Sequence, residues 1–379
     1  MTGVQHRQQR QLVMPPFHKA AVRTYHNLMS GMTAQMLDRW RPGQCYDIYD
    51  EMRELSLRIA SSVLFSHDPD EALPVGRLVE KWLRQSFAGP VWVFPINIPG
   101  TPYRGLLRLA ERIEKRILEM IAKRRRSPEL HSDVLSLLMQ ARDDENQGMT
   151  DTELVGQTTI LFMASYETVA SALTWTLFLL AQHPAVMHEL MDELDSVLGG
   201  NAPDEEQVGK LSFLNCIIKE SMRILPPVPY TVRATTRYLK MGPHTVPTGA
   251  RIICGHYMTH HLPDLYPQPE RFRPERWREI DPNQYEYLPF SAGPRMCIGA
   301  IFATQLLKIS LAMMLQRFRF SVVPRTCIDR VIRITMQPRR GLPMMICKND
   351  RNFAPSEVRG QIREMVELAP PPEQKKPCK

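Results

Sequence analysis

Apolar residues recur at helical spacing along most of the chain, which predicts a mainly α-helical protein. The longest such segment runs from Asp151, expected to cap it, to about Gln182 and is apolar on nearly every face. A second helix is predicted after Cys297, with apolar residues at 301, 302, 306, 309 and 313. Short runs separated by glycine and proline, at 231–238, 251–254 and 318–347, predict small strands. We therefore expect an α protein with small β-sheets.

Residues 89–102 form a connector between two predicted helices. It is rich in proline and glycine and carries aromatic rings at Trp92 and Phe94. Exposed rings on such a connector are typical of a lid or a membrane-facing contact, because loops often carry function. A loop packed on the core is an equally good interpretation. The pattern alone leaves both open.

Length and charge limit the number of domains and the kinds of partner. The 379 residues are enough for one large domain or two. We expect a single domain over residues 1–348 and a charged, proline-bearing, partly disordered tail over 349–379. The net charge of +8 favours a basic solvated surface with no particular partner. The alternative interpretations are a surface that binds an acidic protein partner and one that binds an anionic membrane. Nucleic acid is not expected as a partner, since no nucleic-acid-binding motif is present.

Cysteine usage and hydropathy predict a cytoplasmic protein. The seven cysteines are scattered, odd in number and without a CxxC pair, which argues against a disulfide framework and a zinc site. The polar N-terminus does not resemble a signal peptide. Residues 158–181 are apolar enough to span a bilayer, but Glu167 lies among them, and a charge at that depth is costly in lipid. We therefore expect a buried helix and no membrane segment in this chain.

The strongest chemical signal is the loop at residues 290–300, which is centred on Cys297. Gly293 and Gly299 flank the cysteine, so a flat group could lie against bare backbone. Arg295 adds a cation suited to a carboxylate. A thiolate is favoured beside the N-terminus of a helix. These features suit an axial ligand of haem iron, and the alternative is a buried cysteine in a glycine and proline turn.

An acid and a hydroxyl, Glu167 and Thr168, stand side by side in the apolar helix. Buried polar groups need partners. We expect the Thr168 hydroxyl to bond back to the carbonyl of Ala164 or Ser165 and to bend the helix. The pair then forms a short proton route, or else a satisfied polar pair in the core.

Two further groups of charges share a helical face. Glu220 and Arg223 are three residues apart, a spacing also common on exposed faces, and Arg276 is a candidate third partner from a proline-held segment. His6 and Arg10 are four residues apart near the start of the chain. Their face is either a solvated basic turn or a binding surface for an acidic ligand group.

Taken together and in this order, residues 164–168, 220–223, 274–277 and 290–299 resemble the signature series of the cytochrome P-450 family, the haem-thiolate monooxygenases. The cysteine loop matches the family's Phe-x-x-Gly-x-Arg-x-Cys-x-Gly pattern at every position. The resemblance covers residues 3 to about 347. It implies a cytochrome P-450-like fold with haem between the long helix at about 151–182 and the helix that follows Cys297.

The resemblance also implies a role for each residue. Cys297 is expected to be the thiolate ligand of the iron in haem b, and Glu167 and Thr168 are expected to serve oxygen activation and proton delivery. The residues expected to bind haem are His6, Arg10, Arg233, Phe290, Gly293, Arg295 and Gly299. The residues expected to form a buried structural ion network are Glu220, Arg223 and Arg276.

The implied reaction inserts one oxygen atom from O2 into a hydrophobic small molecule, by hydroxylation or epoxidation. No flavin or iron–sulfur domain is recognisable in the sequence. Electrons, ultimately from NAD(P)H, are therefore expected from a separate reductase or an acidic ferredoxin- or flavodoxin-type donor.

The chain departs from the family pattern in the long helix and at its N-terminus. Ser165 stands where the family usually has glycine, and Val169 where it often has a second hydroxyl. The family also carries a portion before the helix that holds His6, which we expect this chain to lack, and a membrane anchor would lie in that portion. The alternatives are a truncated, inactive haem- or ligand-binding protein and a variant that uses peroxide.

Overall fold

The computed structural model describes residues 3–66, 68–126 and 133–368. Helices dominate it, as predicted. The helices are, in chain order, α1 (Gly3–Val13), α2 (Lys19–Thr24), α3 (His26–Arg39), α4 (Ile48–Leu64), α5 (Pro69–Ser86), α6 (Gly89–Val93), α7 (Pro102–Arg126), α8 (Val134–Gln140), α9 (Asp151–Gln182), α10 (Pro184–Leu198), α11 (Glu205–Lys210), α12 (Ser212–Ile224), α13 (His256–His260), α14 (Ala300–Arg317) and α15 (Ile362–Met365).

The strands are short and form small sheets, also as predicted. They are β1 (Cys45–Asp47), β2 (Thr231–Ala234), β3 (Leu239–Met241), β4 (His244–Val246), β5 (Arg251–Cys254), β6 (Phe318–Val322), β7 (Thr326–Cys327), β8 (Arg330–Ile332), β9 (Met336–Pro338), β10 (Pro343–Lys348) and β11 (Val358–Arg359). An antiparallel sheet has the order β1-β10-β6. Antiparallel pairs join β2 with β5, β3 with β4 and β8 with β9, while β7 and β11 are parallel.

The chain divides into two compact units. The first comprises Met1–Arg39, Glu51–Ala170 and Ile298–Ser310, and the second comprises Trp40–Asp50, Ser171–Cys297 and Leu311–Lys379. The predicted domain boundary at residue 348 stays a prediction. Beyond it, the described residues include β11 and α15, and residues 369–379 of the predicted tail lie outside the described residues.

The core of the first unit is built around Phe162, which is fully buried on α9. Its ring lies 5.7 Å from the ring of Phe65 and 5.3 Å from that of Tyr166. Gly76 of α5 comes close to both Phe162 and Ser61 of α4, so that a methyl group at Gly76 would collide with the Ser61 hydroxyl. The close approach of these helices therefore depends on a residue without a side chain.

The core of the second unit contains the three-stranded sheet and the end of α9. The ring of Trp40, 1% exposed, lies 5.9 Å from Phe318 and 5.8 Å from Phe320. Ser171 Oγ and Trp175 Nε1 both donate to a single backbone carbonyl, that of residue 336, at 2.6 and 2.9 Å. These bonds supply partners for polar groups that the apolar helix buries.

The ends of the long helix were predicted correctly, but its cap was not. Thr150, rather than Asp151, precedes the first turn and forms a reciprocal pair with Glu153. The threonine hydroxyl accepts from the Glu153 amide while the glutamate accepts from the Thr150 amide, which is a capping box. Asp151 is the first helical residue, and its carboxylate pairs with Arg125.

Short elements with distant partners were missed. Strand β1 has only three residues and pairs with β10, nearly 300 residues later in the chain, so no local pattern marks it. Helix α2 ends at Thr24, and Tyr25 separates it from α3. The connector at 89–102 contains the short helix α6, and the hairpin of β3 and β4 turns at Gly242, where φ is +56°.

Among the described residues, no single helix is both long and apolar enough to cross a membrane. Helices α9 and α10 meet the length and composition limits only as a pair, which is bent by 110°.

Gly76→Ala tests the close approach of α4 and α5. Alanine favours a helix over glycine by about 1 kcal/mol, but here the added methyl group meets Ser61 and Phe162, and overpacking costs roughly 1–3 kcal/mol. We expect a net loss in the free energy of unfolding, measured by urea denaturation. Gly105→Ala in α7 is the control, since nothing lies within 4 Å of its added methyl group, and it should stabilise. Equal effects of the two changes would contradict the packing.

Candidate active site

The cysteine loop is held by its own backbone. The Cys297 amide donates to the carbonyl of Phe290 at 2.8 Å, and the Met296 amide donates to the carbonyl of Gly293 at 3.0 Å. Gly293 has φ +71°, a left-handed conformation that favours glycine. Helix α14 begins three residues after Cys297, and the Gly299 carbonyl accepts its first bond from Ala303. The loop therefore closes on itself just before the helix starts.

The residues of this loop fit a haem group. Cys297 is exposed and forms no disulfide within the described part of the chain. A side chain at Gly293 or Gly299 would meet nothing within 4 Å, so open space lies beside both glycines. Arg295 is also exposed. The soft thiol matches the haem iron, and the uncovered glycine backbone matches the flat ring. The guanidinium group matches the haem carboxylates.

The acid–hydroxyl pair lies on α9. Thr168 Oγ1 donates to the Ala164 carbonyl at 2.7 Å, one of the two partners predicted. The same carbonyl can accept the helical amide bond with its other lone pair, and α9 is one continuous helix through this point. The predicted bend in the helix is therefore not needed to make the bond. Ser165 donates its hydroxyl to the Phe162 carbonyl at 3.0 Å.

Tyr166 is a partner of the acid that sequence reasoning missed. Its hydroxyl donates to Glu167 Oε1 at 3.2 Å, and the tyrosine is fully buried. Burial raises the pKa of this phenol well above its usual range, and the nearby charge of Glu167 raises it further. The hydroxyl thus stays protonated and remains a donor. A tyrosine buried in an apolar helix needs a hydrogen-bond partner for its hydroxyl. This requirement, with Glu167 as the next residue, could have pointed to the bond.

Glu220, Arg223 and Arg276 are brought together in the second unit, and their side chains are 0–3% exposed. Both oxygens of Glu220 accept from Arg223 at 2.9 Å, and Oε1 also accepts from Arg276 Nε at 2.9 Å. The Trp277 indole and the Arg273 amide complete five donors on one carboxylate, at 3.0 and 3.1 Å. The sequence did not indicate these last two donors.

Backbone carbonyls balance the excess positive charge of this network. Arg223 donates to the carbonyls of His260 and Pro269, each at 2.8 Å, and Arg276 donates to that of Pro267 at 2.8 Å. Burial lowers the pKa of the Arg276 guanidinium, although Glu220 opposes this shift. The two arginines thereby fasten the proline-rich segment around residues 267–269 to helix α12.

The network continues toward the cysteine loop. The ring of Trp277 lies 4.5 Å from that of Tyr287, whose hydroxyl donates to the Lys219 carbonyl at 3.0 Å. The next residue, Leu288, donates its amide to His260 Nε2 at 2.7 Å. Burial, helped by the charge of Arg223, lowers the pKa of His260 to about 3, so its ring stays neutral and can accept this bond. The chain entering the loop is therefore fixed two residues before Phe290.

The remaining predicted residues are placed on separate elements. His6 and Arg10 lie half-buried on α1 of the first unit. Arg233 lies exposed on β2 of the second unit, where its guanidinium donates to the carbonyl of Val232 at 3.0 Å. The first unit thus carries His6, Arg10, Glu167, Thr168 and Gly299, and the second carries Arg233, Phe290, Gly293, Arg295, Cys297 and the ion network.

Comparison with known proteins shows which family the chain resembles in sequence and fold. A family model described as Cytochrome P450 matches residues 1–343. Cyclooctat-9-en-7-ol 5-monooxygenase of Streptomyces melanosporofaciens is 33% identical over 335 residues, which cover 86% of this chain and 73% of that protein. Pentalenene oxygenase of Streptomyces avermitilis is 29% identical, over 88% of this chain and 76% of that protein. The structure of retinoic acid-bound cyanobacterial CYP120A1 is similar with a TM-score of 0.83 and 25% identity, over 92% and 80% of the two chains.

The fold and the cysteine loop together define a haem-thiolate oxidoreductase. The chain belongs to the cytochrome P450 family, and its relatives identify it as a monooxygenase. The family membership implies haem as cofactor, a hydrophobic substrate and a redox partner.

Glu220→Gln tests the ion network. The change leaves two buried guanidinium groups without their carboxylate, and breaking a buried pair in this way costs about 3–5 kcal/mol. We expect the free energy of unfolding in urea to fall by that amount. The control is Glu189→Gln, which removes an ion pair of similar length, 2.7 Å to Arg278, in which both side chains are about half exposed. Such pairs contribute below about 1 kcal/mol. Similar losses in both variants would contradict the role of burial.

Proposed function

We propose that this protein inserts one oxygen atom from O2 into a hydrophobic small molecule, by hydroxylation or epoxidation, with electrons from a separate donor. The observation that carries the proposal is the exposed Cys297 in a self-bonded loop with glycine on either side. Haem held through a thiolate supplies the activation of O2 and the cleavage of its O–O bond. The family membership supports this chemistry.

Cys297 would hold the haem iron as a thiolate. The bond from its own amide to Phe290 fixes the backbone at the sulfur-bearing residue. Arg295 would pair with a haem carboxylate, because a guanidinium group binds carboxylates through two parallel hydrogen bonds. His6, Arg10 and Arg233 are proposed for the same kind of contact. Phe290, Gly293 and Gly299 would lie against the ring.

Glu167 and Thr168 would bind and move protons beside the reacting oxygen. The Thr168 hydroxyl donates to Ala164 and can accept a hydrogen bond from water or from the oxygen at the same time. Glu167 is the nearest acid in the sequence, and Tyr166 holds one of its oxygens. Positioned proton transfer of this kind contributes roughly 10²–10⁴-fold to a rate.

An acidic electron donor is the proposed partner. The net charge of +8 favours association with a negatively charged surface, which raises the rate of encounter. A ferredoxin- or flavodoxin-type protein, or a reductase, that draws on NAD(P)H meets this requirement. The predicted cytoplasmic location stays a prediction.

Incubation with isotopically labelled O2 tests the function. Purified haem-loaded protein, a ferredoxin, its reductase and NADPH are supplied with a panel that includes pentalenene, cyclooctat-9-en-7-ol and retinoic acid. We expect a product of at least one compound to carry a single labelled oxygen, measured by mass spectrometry. Cys297→Ala should abolish the product because the thiolate ligand is lost.

Two results would contradict this function. Haem-loaded protein that accepts electrons but forms no oxygenated product across the panel favours a binding protein without activity. Product that forms with added hydrogen peroxide but not with O2 and NADPH favours the peroxide-using variant.

Thr168→Ala tests the proton route. Without the hydroxyl, protons reach the reacting oxygen more slowly, so we expect product per electron pair to fall by a factor on the order of 100 and released hydrogen peroxide to rise. The control is Thr159→Ala in the same helix, since Thr159 makes the same back-bond, to Val155 at 2.7 Å. The control should keep the ratio of product to electrons. Unchanged coupling in Thr168→Ala would count against this role.

A further inference from the structure

The acid of the proposed proton route is bonded to its neighbour in the chain. Tyr166 Oη donates to Glu167 Oε1 at 3.2 Å. Successive side chains on a helix point about 100° apart, so the bond requires the carboxylate to lie toward the tyrosine. Tyr166 is fully buried and Glu167 is half-buried. The carboxylate is therefore held toward the interior of the first unit.

The donor of this bond has a fixed position. The ring of Tyr166 lies 5.3 Å from that of Phe162, which lies 5.7 Å from that of Phe65. Phe162 also packs closely against Gly76 of α5. An aromatic side chain has only two rotatable bonds, and packing in this cluster restrains both. The phenol hydroxyl is thus the fixed partner, and the flexible glutamate side chain adapts to it.

Tyr166 can hold the acid but does not supply a proton. Burial and the nearby charges of Glu167 and Glu80 raise the pKa of its phenol well above the usual range, so the hydroxyl keeps its proton. A hydrogen bond donated to an ionised carboxylate favours the ionised form over the protonated form. The bond can therefore control when Glu167 takes up a proton.

Charged residues of α4 and α5 lie around the same hydroxyl. Arg53 of α4 and Glu80 of α5 form an ion pair of 2.5 Å, and their side chains are 18% and 13% exposed. The charges of both residues act on the pKa of Tyr166, in opposite directions. Arg77 pairs with Glu80 at 3.3 Å and with Glu54 at 2.5 Å. These two acids and two bases balance in charge, so the phenol adds a separate, uncharged influence on Glu167.

We propose that Tyr166 is a positioning residue that retains the ionised carboxylate of Glu167 and sets the pH at which this acid takes up a proton. The role rests on the proposed function, in which Glu167 and Thr168 move protons to the reacting oxygen. Protonation weakens the bond, because a neutral acceptor binds less strongly than a charged one, and it frees the side chain to turn toward Thr168. The proton passes from water to Glu167 and onward, and the phenol neither gains nor loses one.

Tyr166→Phe tests this role, because it removes the hydroxyl and keeps the packed ring. Product per electron pair is measured over a range of pH with the haem-loaded protein, a separate electron donor and a substrate that the labelled-O2 experiment identifies. Loss of a hydrogen bond to an ionised carboxylate should move the midpoint of this pH profile upward by about one unit. A hydroxyl with a purely structural role would change the yield of folded protein and leave the midpoint in place.

A second measurement does not depend on activity. Tyr166→Phe, Glu167→Ala and the double variant form a double-mutant cycle, which is followed by the urea midpoints of the haem-loaded proteins. We expect the double variant to lose less than the sum of the two single losses, because each single change breaks the same bond. The absorption spectrum of the bound haem verifies that each variant is folded.

Tyr25→Phe is the matched control. Tyr25 is also buried in the first unit, at 1% exposure, but its hydroxyl has no hydrogen-bond partner among the residues that the structure describes. Its ring lies 6.1 Å from that of Phe302 on α14. This change removes a buried phenol hydroxyl without touching Glu167, and it should leave the pH profile unmoved.

Three outcomes would overturn the proposal. An unmoved pH profile in Tyr166→Phe, with non-additive urea midpoints, would show that the bond serves packing alone. Additive urea midpoints would show that the two side chains do not interact. An equal shift of the profile in Tyr25→Phe would show that the effect is not specific to Tyr166. The absence of product from the unchanged protein at every pH is a different result, which would contradict the proposed function and this role with it.

Discussion

One buried carboxylate, that of Glu220, organises the second unit. Five donors from Arg223, Arg273, Arg276 and Trp277 converge on its two oxygens. Removing such a group from water is costly, so a buried ion pair adds little net stability compared with apolar packing. The ion pair instead fixes the positions of the groups around it, because each donor forms a good hydrogen bond to the carboxylate only within a narrow range of positions.

That geometry reaches the cysteine loop through ordinary contacts. Trp277 packs on Tyr287, and the neutral ring of His260 accepts the amide of Leu288. These contacts fix the entry to the loop, and the bond from Cys297 to Phe290 closes it. The ion network and the thiol are thus parts of one arrangement within the second unit, although the network itself takes no part in the proposed chemistry.

The features that could be predicted from the sequence are those that local patterns of residues encode. Helix α9 has its predicted ends because polar residues stand at its start and Pro184 follows shortly after its last residue. The resemblance to the family related Arg276 to Glu220 across more than 50 residues. The sequence did not indicate the hydrogen bonds of Trp277 and Tyr166 or the existence of strand β1. Their partners are set by tertiary packing, which no spacing along the chain reveals. The exposure of Trp92 and Phe94 on the connector at 89–102 was left open for the same reason.

The proposed function depends most on a bond between the sulfur of Cys297 and haem iron. The absorption spectrum of the reduced protein treated with carbon monoxide tests this bond most directly, because the position of the Soret band reports the ligand opposite carbon monoxide. We expect the strongly red-shifted band of an intact thiolate. A band at the position found for histidine-ligated or free haem, from folded protein, would contradict it.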